Sequence, residues 1–196
     1  MAFLTAEKIR RPGRRTAWHC VFLPALVLLL SGLPAGKSRA AAFKPAQVKA
    51  AFIYNLASFV TWPDDTDPAA GPFVIAVLGD DEIAKNLEIL TEGERIQGRP
   101  VAIRPLRSPA DIGACRILFV GAAVAGNTPQ ILQSLGGRNV LTVGDSEAFG
   151  RGRGMVNLVQ RGRRIHLQIN IRAARAAGLH FNSKLLKIAR IIRSEP

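Results

Sequence analysis

The apolar patterning of the chain predicts an α/β fold: a mainly parallel sheet flanked by helices on both faces, with a C-terminal antiparallel hairpin and a final amphipathic helix. Short continuous apolar runs of strand length end in glycine or aspartate and alternate with segments of helical period. That is the grammar of strands buried on both faces and wound with helices. After Asp145 the period changes to two around a short turn, which marks an antiparallel pair with one wet face.

The first helix spans Pro45 to Val60, where Val48, Phe52, Leu56, Phe59 and Val60 recur at helical spacing with Lys49, Asn55 and Ser58 between them. Pro45 suits its first turn, and Trp62-Pro63 ends it, because the residue before a proline is pushed out of the helical region. A polar connection from Asp64 to Gly71 leads to FVIAVLGDD (Phe73 to Asp81), a buried strand feeding a helix. Asp80 or Asp81 is its N-cap, and Ile83, Leu87 and Leu90 lie on its buried face. Gly98 to Leu106, Arg116 to Gly121 and Asn139 to Asp145 follow as strands, with a short helix from Thr128 to Leu135 stopped by Gly136-Gly137. The hairpin pairs Met155 to Val159 with Arg164 to Asn170 across a turn at Arg161-Gly162. Residues 171–178 form a short helix stopped by Gly178. A last helix capped by Ser183 buries Leu185, Leu186, Ile188, Ala189 and Ile192 and turns Lys184, Lys187, Arg190 and Arg193 outward.

The first 42 residues read as a secretory signal peptide and the remainder, 43–196, as one α/β domain. Lys8, Arg10, Arg11, Arg14 and Arg15 form a basic region, CVFLPALVLLLSGL an apolar one, and Ser38, Ala40, Ala41 and Ala42 a small-residue cleavage region. A spanning helix needs about 20 apolar residues, more than this run supplies, and Pro24 interrupts it. Arg14-Arg15 lacks the apolar pair of a twin-arginine signal, so export unfolded, with no cofactor loaded beforehand, is expected. Export is expected, with cleavage near Ala40 to Ala42; the periplasm is the location that the family resemblance given below implies.

The chain holds 27 Lys and Arg against 14 Asp and Glu, a formal charge of +13. Residues 1–42 take seven of the basic groups and one acid, leaving 20 against 13. The leader therefore carries +6 of the +13, much of the excess that resembles a nucleic-acid binder, and an anionic membrane surface or an acidic partner is the better expectation. Cys115 is the only cysteine beyond the leader, so an intramolecular disulfide is excluded and a free thiol expected. It reads as a small core residue; the alternative, a thiol activated by the adjacent Arg116, lacks a nearby histidine base.

His166 and His180 come without paired cysteines or a carboxylate cluster, which argues against a metal site, and no cofactor is expected. The run Gly150-Arg151-Gly152-Arg153-Gly154 resembles a phosphate loop but precedes a strand where that mechanism requires a helix. Asp80, Asp81, Gly121, Gly144 and Asp145 fall just after strands, where doubly wound sheets hold ligands. Asp80, Asp81, Gly121 and Asp145 are accordingly the candidate ligand crevice, although glycine and aspartate there also serve as turns and caps. Arg151, Arg153, Arg161, Arg163 and Arg164 cluster around the hairpin. Arg161, Arg163 and Arg164, with Lys187 and Arg190 of the last helix, form the candidate partner surface.

The segments VKAAFIYNLASFVTWP, FVIAVLGDD, IQGRPVAIRPL, CRILFV, VLTVGD, GRGMVNLV and INIRAARAAGLHFNSKLLKIARII, in this order and spacing, resemble the YfiR/HmsC family of exported bacterial proteins over about residues 46–192. The resemblance implies a compact periplasmic α/β domain, often a homodimer, without catalytic residues. Such a protein binds the periplasmic sensor domain of an inner-membrane diguanylate cyclase and holds it inactive, and an outer-membrane lipoprotein can sequester it; cyclic-di-GMP and biofilm then rise. Cys115 matches the cysteine of the family's C-x-I-L-F motif, while the further cysteines that form disulfides in some members are missing. Asn55, Phe59, Trp62, Gly144, Asp145, Gly154, Met155, Asn157, Asn170, Gly178, Ser183 and Leu185 match signature positions and read mostly as packing, turns and caps. The expected function is repression of such a cyclase, with no role for nucleic acid. The alternative is a periplasmic small-molecule-binding module feeding a sensor kinase or transport system, and an enzyme using Cys115 stands third.

Overall fold

The computed structural model describes residues 44–63 and 71–192. The leader and the connection's Asp64 lie outside the described residues. Phe43–Pro196 forms one compact unit by its internal contacts. Its helices are α1 (Pro45–Leu56), α2 (Asp81–Leu90), α3 (Thr128–Ser134), α4 (Glu147–Arg151), α5 (Ile171–Ala176) and α6 (Ser183–Ile188). Its strands are β1 (Val60–Thr61), β2 (Phe73–Leu78), β3 (Arg95–Ile96), β4 (Arg99–Leu106), β5 (Ile117–Val120), β6 (Leu141–Gly144), β7 (Val156–Arg161), β8 (Arg164–Asn170), β9 (His180–Phe181) and β10 (Arg190–Ile192).

The main sheet has eight strands in the order β10-β8-β7-β6-β5-β2-β4-β3. β4, β2, β5, β6 and β7 run parallel, β7 and β8 form the antiparallel hairpin, and β3 doubles back on β4. Every residue of β2, β5 and β6 is buried, because both faces of these strands are covered. Phe73, Ile75 and Val77 point to one core with Ile53 and Leu56 of α1 and Ile83 and Leu87 of α2. Ala76, Leu78, Leu118 and Val120 point to the other, with Ile131 and Phe149. The predicted layers are those observed. Pro105 fits in β4 because β3 pairs only with Arg99 and Pro100, so a ladder donor is not needed further along this side.

Several boundaries differ from the sequence reading. Helix α1 ends at Leu56 in a single 3₁₀ turn and buries Ala50, Ile53 and Leu56, while Val48 and Phe52 are only half-buried. Both sit to one side of the contact stripe. Leu90 is exposed, since α2 ends there beyond the sheet. Asp80, not Asp81, caps α2, its Oδ1 accepting from the Ile83 N–H at 2.9 Å.

The hairpin turn is Gly162-Arg163. The last helix is shorter than its periodicity suggests: Asn182 caps it in place of Ser183, and Ala189 is already extended. Arg190–Ile192 then leaves as β10, parallel to β8, with Ile191 opposite Ile169. Ile188 is exposed rather than buried. Helix α4, capped by Ser146, and the small β1–β9 sheet, with Val60 opposite Phe181, are additions to the expected set.

Candidate functional site

The carboxyl end of the parallel strands is filled by the protein itself. The chain leaves β2 for β4 on one side and returns as β5 on the other, so the topological switch lies between β2 and β5. There a Cβ on Gly121 would lie 2.5 Å from the Gly79 carbonyl oxygen, and one on Gly79 (φ +77) would lie 2.8 Å from a Val124 methyl. Asp81 is exposed in the first turn of α2.

At the end of β6, Asp145 Oδ2 accepts from Lys49 Nζ at 2.7 Å, a pair only 14% and 7% exposed that ties α1 to the sheet. The other oxygen of Asp145 is buried without a hydrogen-bond partner. The ring of Phe149 lies between two glycines: a Cβ on Gly144 would fall 2.3 Å from it and one on Gly154 2.1 Å. A Cβ on Gly152 would likewise fall 2.6 Å from that of Thr128. The glycine run at 150–154 is thus a packing requirement around α4. Of the four crevice candidates, Asp80, Gly121 and Asp145 are engaged in caps, close backbone approach and an ion pair.

At the sheet's other flank the structure gathers the basic residues of the hairpin and α6. Arg161, His166, Lys187 and Arg190 line a shallow groove of about 280 Å³ between β8 and the turn into β10. Arg163 and Arg164 are exposed in and beside the turn that opens the same hairpin. Beside them Ile188 is 72% and Ile191 46% exposed. Among the described residues β10 is one of the two edge strands of the main sheet, β3 being the other. Exposed isoleucines, cations and a strand edge thus fall together on this side of the sheet. The sequence singled out the basic residues; the two isoleucines and the strand edge were hidden because the segment keeps helical spacing.

A cleft of about 770 Å³ lies at the amino end of β2, β5 and β6 and is lined by Cys115 with Arg99, Arg104, Arg116 and Arg138. Burial raises the Cys115 thiol above its ordinary pKa and outweighs the opposing pull of Arg138 and Arg104. The cations that act on it are therefore these two rather than the adjacent Arg116. At neutral pH this is a protonated, poorly nucleophilic thiol. The exposed His166 and His180 lie on β8 and β9, and no group of His, Cys, Asp or Glu able to hold a metal occurs among the described residues. No helix among them is long and apolar enough to cross a membrane.

These features define an α/β domain whose distinctive surfaces are a basic strand edge and a cationic cleft, the makings of a binding protein. The profile of the YfiR/HmsC-like family matches residues 46–190, and the chain belongs to that family. No curated protein matches it significantly. Two solved structures share the fold. A conserved domain protein from Vibrio cholerae O1 biovar eltor has 12% identity and a TM-score of 0.52, and the alignment covers 76% of this chain and 60% of that one. The ABC domain in complex with L-Trp from Streptococcus pneumonia has 15% identity and a TM-score of 0.51, with the same coverage. The chain therefore spans 60% of the length of either neighbour.

Proposed function

We propose that this protein is an exported, non-catalytic regulator that binds the periplasmic sensor domain of an inner-membrane diguanylate cyclase and holds it inactive, lowering cyclic-di-GMP and biofilm formation. The observation that carries the reading is the family match across residues 46–190. The basic groove of Arg161, Lys187 and Arg190 beside Ile188 and Ile191 supports it as the docking surface. Aliphatic side chains supply affinity at the centre of such a patch, and the charged rim steers encounter with an acidic partner.

Repression needs no chemistry from this chain. It follows from binding the inactive state of the cyclase more tightly than the active one, and a differential of about 1–3 kcal/mol shifts the equilibrium 5- to 150-fold. In the same scheme an outer-membrane lipoprotein relieves repression by competing for the regulator, which acts as a homodimer.

The test is intracellular cyclic-di-GMP in a strain deleted for the gene and complemented with the full chain or with a version lacking residues 2–42. Deletion raises cyclic-di-GMP, and only the exported form restores it. An unchanged level while the protein is being made would contradict the reading and turn attention to neighbouring kinases and transporters.

A further inference from the structure

Four arginines line the cleft at the amino end of the sheet, although they are scattered between positions 99 and 138 in sequence. Arg99 and Arg104 come from β4, Arg116 from the approach to β5, and Arg138 from the loop between α3 and β6. None of the residues lining the cleft is Asp or Glu. Arg99 is 5% exposed and fastened by Nε and Nη2 to the carbonyls of Gly71 and Pro72 at 2.8 and 2.9 Å.

Arg104 donates to the Ala114 carbonyl at 3.3 Å, and Arg138 to those of Leu135 and Gly113 at 3.0 and 3.1 Å. Neither makes an ion pair among the described residues. Carbonyl contacts fix these two guanidinium groups in place without neutralising them, so Arg104 and Arg138 keep their positive charge at the cleft. The thiol of Cys115 feels Arg104 and Arg138 together, which places both beside one spot.

We propose that this cleft binds a small soluble molecule carrying two or more negative charges, a phosphate ester or a polycarboxylate. The guanidinium fork matches the paired oxygens of either group. More than one charge is required because Arg104 and Arg138 offer two forks. A volume of about 770 Å³ suits an organic molecule rather than a bare ion, and Val74, Val140 and Pro72 offer apolar walls for its carbon skeleton. The site lies away from the hairpin edge and stands whether or not that edge docks a cyclase.

The test is thermal unfolding of the purified full chain carrying Cys20→Ser, with citrate, glucose 6-phosphate, neutral glucose, or NaCl at matched ionic strength. Citrate or glucose 6-phosphate raises the midpoint; glucose and NaCl do not. The arm that responds distinguishes polycarboxylate from phosphate ester. In an Arg104→Gln/Arg138→Gln variant the response falls by about tenfold or more in ligand concentration, because two charge-assisted forks are lost. Both side chains are exposed, and the variant's far-UV dichroism reports that it is folded.

A second readout needs no arginine substitution: the bound anion slows iodoacetamide alkylation of Cys115. A midpoint shift that tracks ionic strength alone, or an equal response in the arginine variant, overturns the proposal. So does binding to phosphatidylglycerol vesicles with none to the soluble anions.

Discussion

The two ends of the one parallel sheet have opposite characters. At the carboxyl end, where sheets of this kind usually hold ligands, Gly79 and Gly121 bring backbone against backbone, Lys49 closes on Asp145, and Phe149 fills the space above Gly144 and Gly154. At the amino end the strands open into a cleft ringed by arginines. Topology makes a switch point available, but side chains decide whether it stays open. Here small residues were spent on bringing helices close, and the cationic groups were left where the strands begin.

If the carboxyl end is structural, breaking it destabilises the fold. Phe149→Ala empties a fully buried ring site and is expected to cost about 3–5 kcal/mol, measured by urea unfolding. Lys49→Ala leaves the Asp145 carboxylate buried, with one oxygen already unpartnered, at a cost of about 3–5 kcal/mol; adding Asp145→Leu recovers most of the loss. Gly154→Ala presses a methyl into the Phe149 ring and costs about 1–3 kcal/mol, whereas Gly162→Asn in the exposed turn (φ +58) costs far less, because nothing lies within 4 Å of its Cβ and asparagine tolerates that conformation.

At the amino end, Arg104→Gln/Arg138→Gln changes stability by only about 0.5 kcal/mol per site while removing the cleft's charge. Alkylation of Cys115 at pH 7.5 is slower than that of a free cysteine and climbs as pH rises through its elevated pKa, because burial disfavours the thiolate.

The parts of this arrangement that were legible in the sequence are those set by local pattern. FVIAVL, ILFV and LTVG are continuous apolar runs, and no partner information is needed to see them as buried strands. Asp80 as a cap, Gly178 as a stop at φ +72 and the hairpin's alternation are equally local. What stayed hidden depends on tertiary proximity. Lys49 and Asp145 stand 96 residues apart, and nothing near Lys49 distinguishes it from a solvated helix lysine. The arginines of the cleft are each unremarkable alone.

The segment Leu185 to Ile192 reads as one helix by spacing, yet Ala189 turns extended so that Ile191 pairs beside Ile169 of β8, a gain in sheet pairing that local propensity does not register. The GRGRG run precedes a strand, unlike a phosphate loop, and the room it leaves for Phe149 and Thr128 is visible only in three dimensions.

The proposed docking of the basic C-terminal edge onto a membrane cyclase can be read out directly. The most direct measurement is surface plasmon resonance of the purified protein against the periplasmic domain of each of the host's diguanylate cyclases that carries one. It compares the wild type with a Lys187→Glu/Arg190→Glu edge variant and the Arg104→Gln/Arg138→Gln cleft variant. One cyclase domain binding the wild type and the cleft variant alike, and losing the edge variant through a slower association rate and faster release, is the predicted result. Equal binding by the edge variant, or no binding to any such domain, would contradict it.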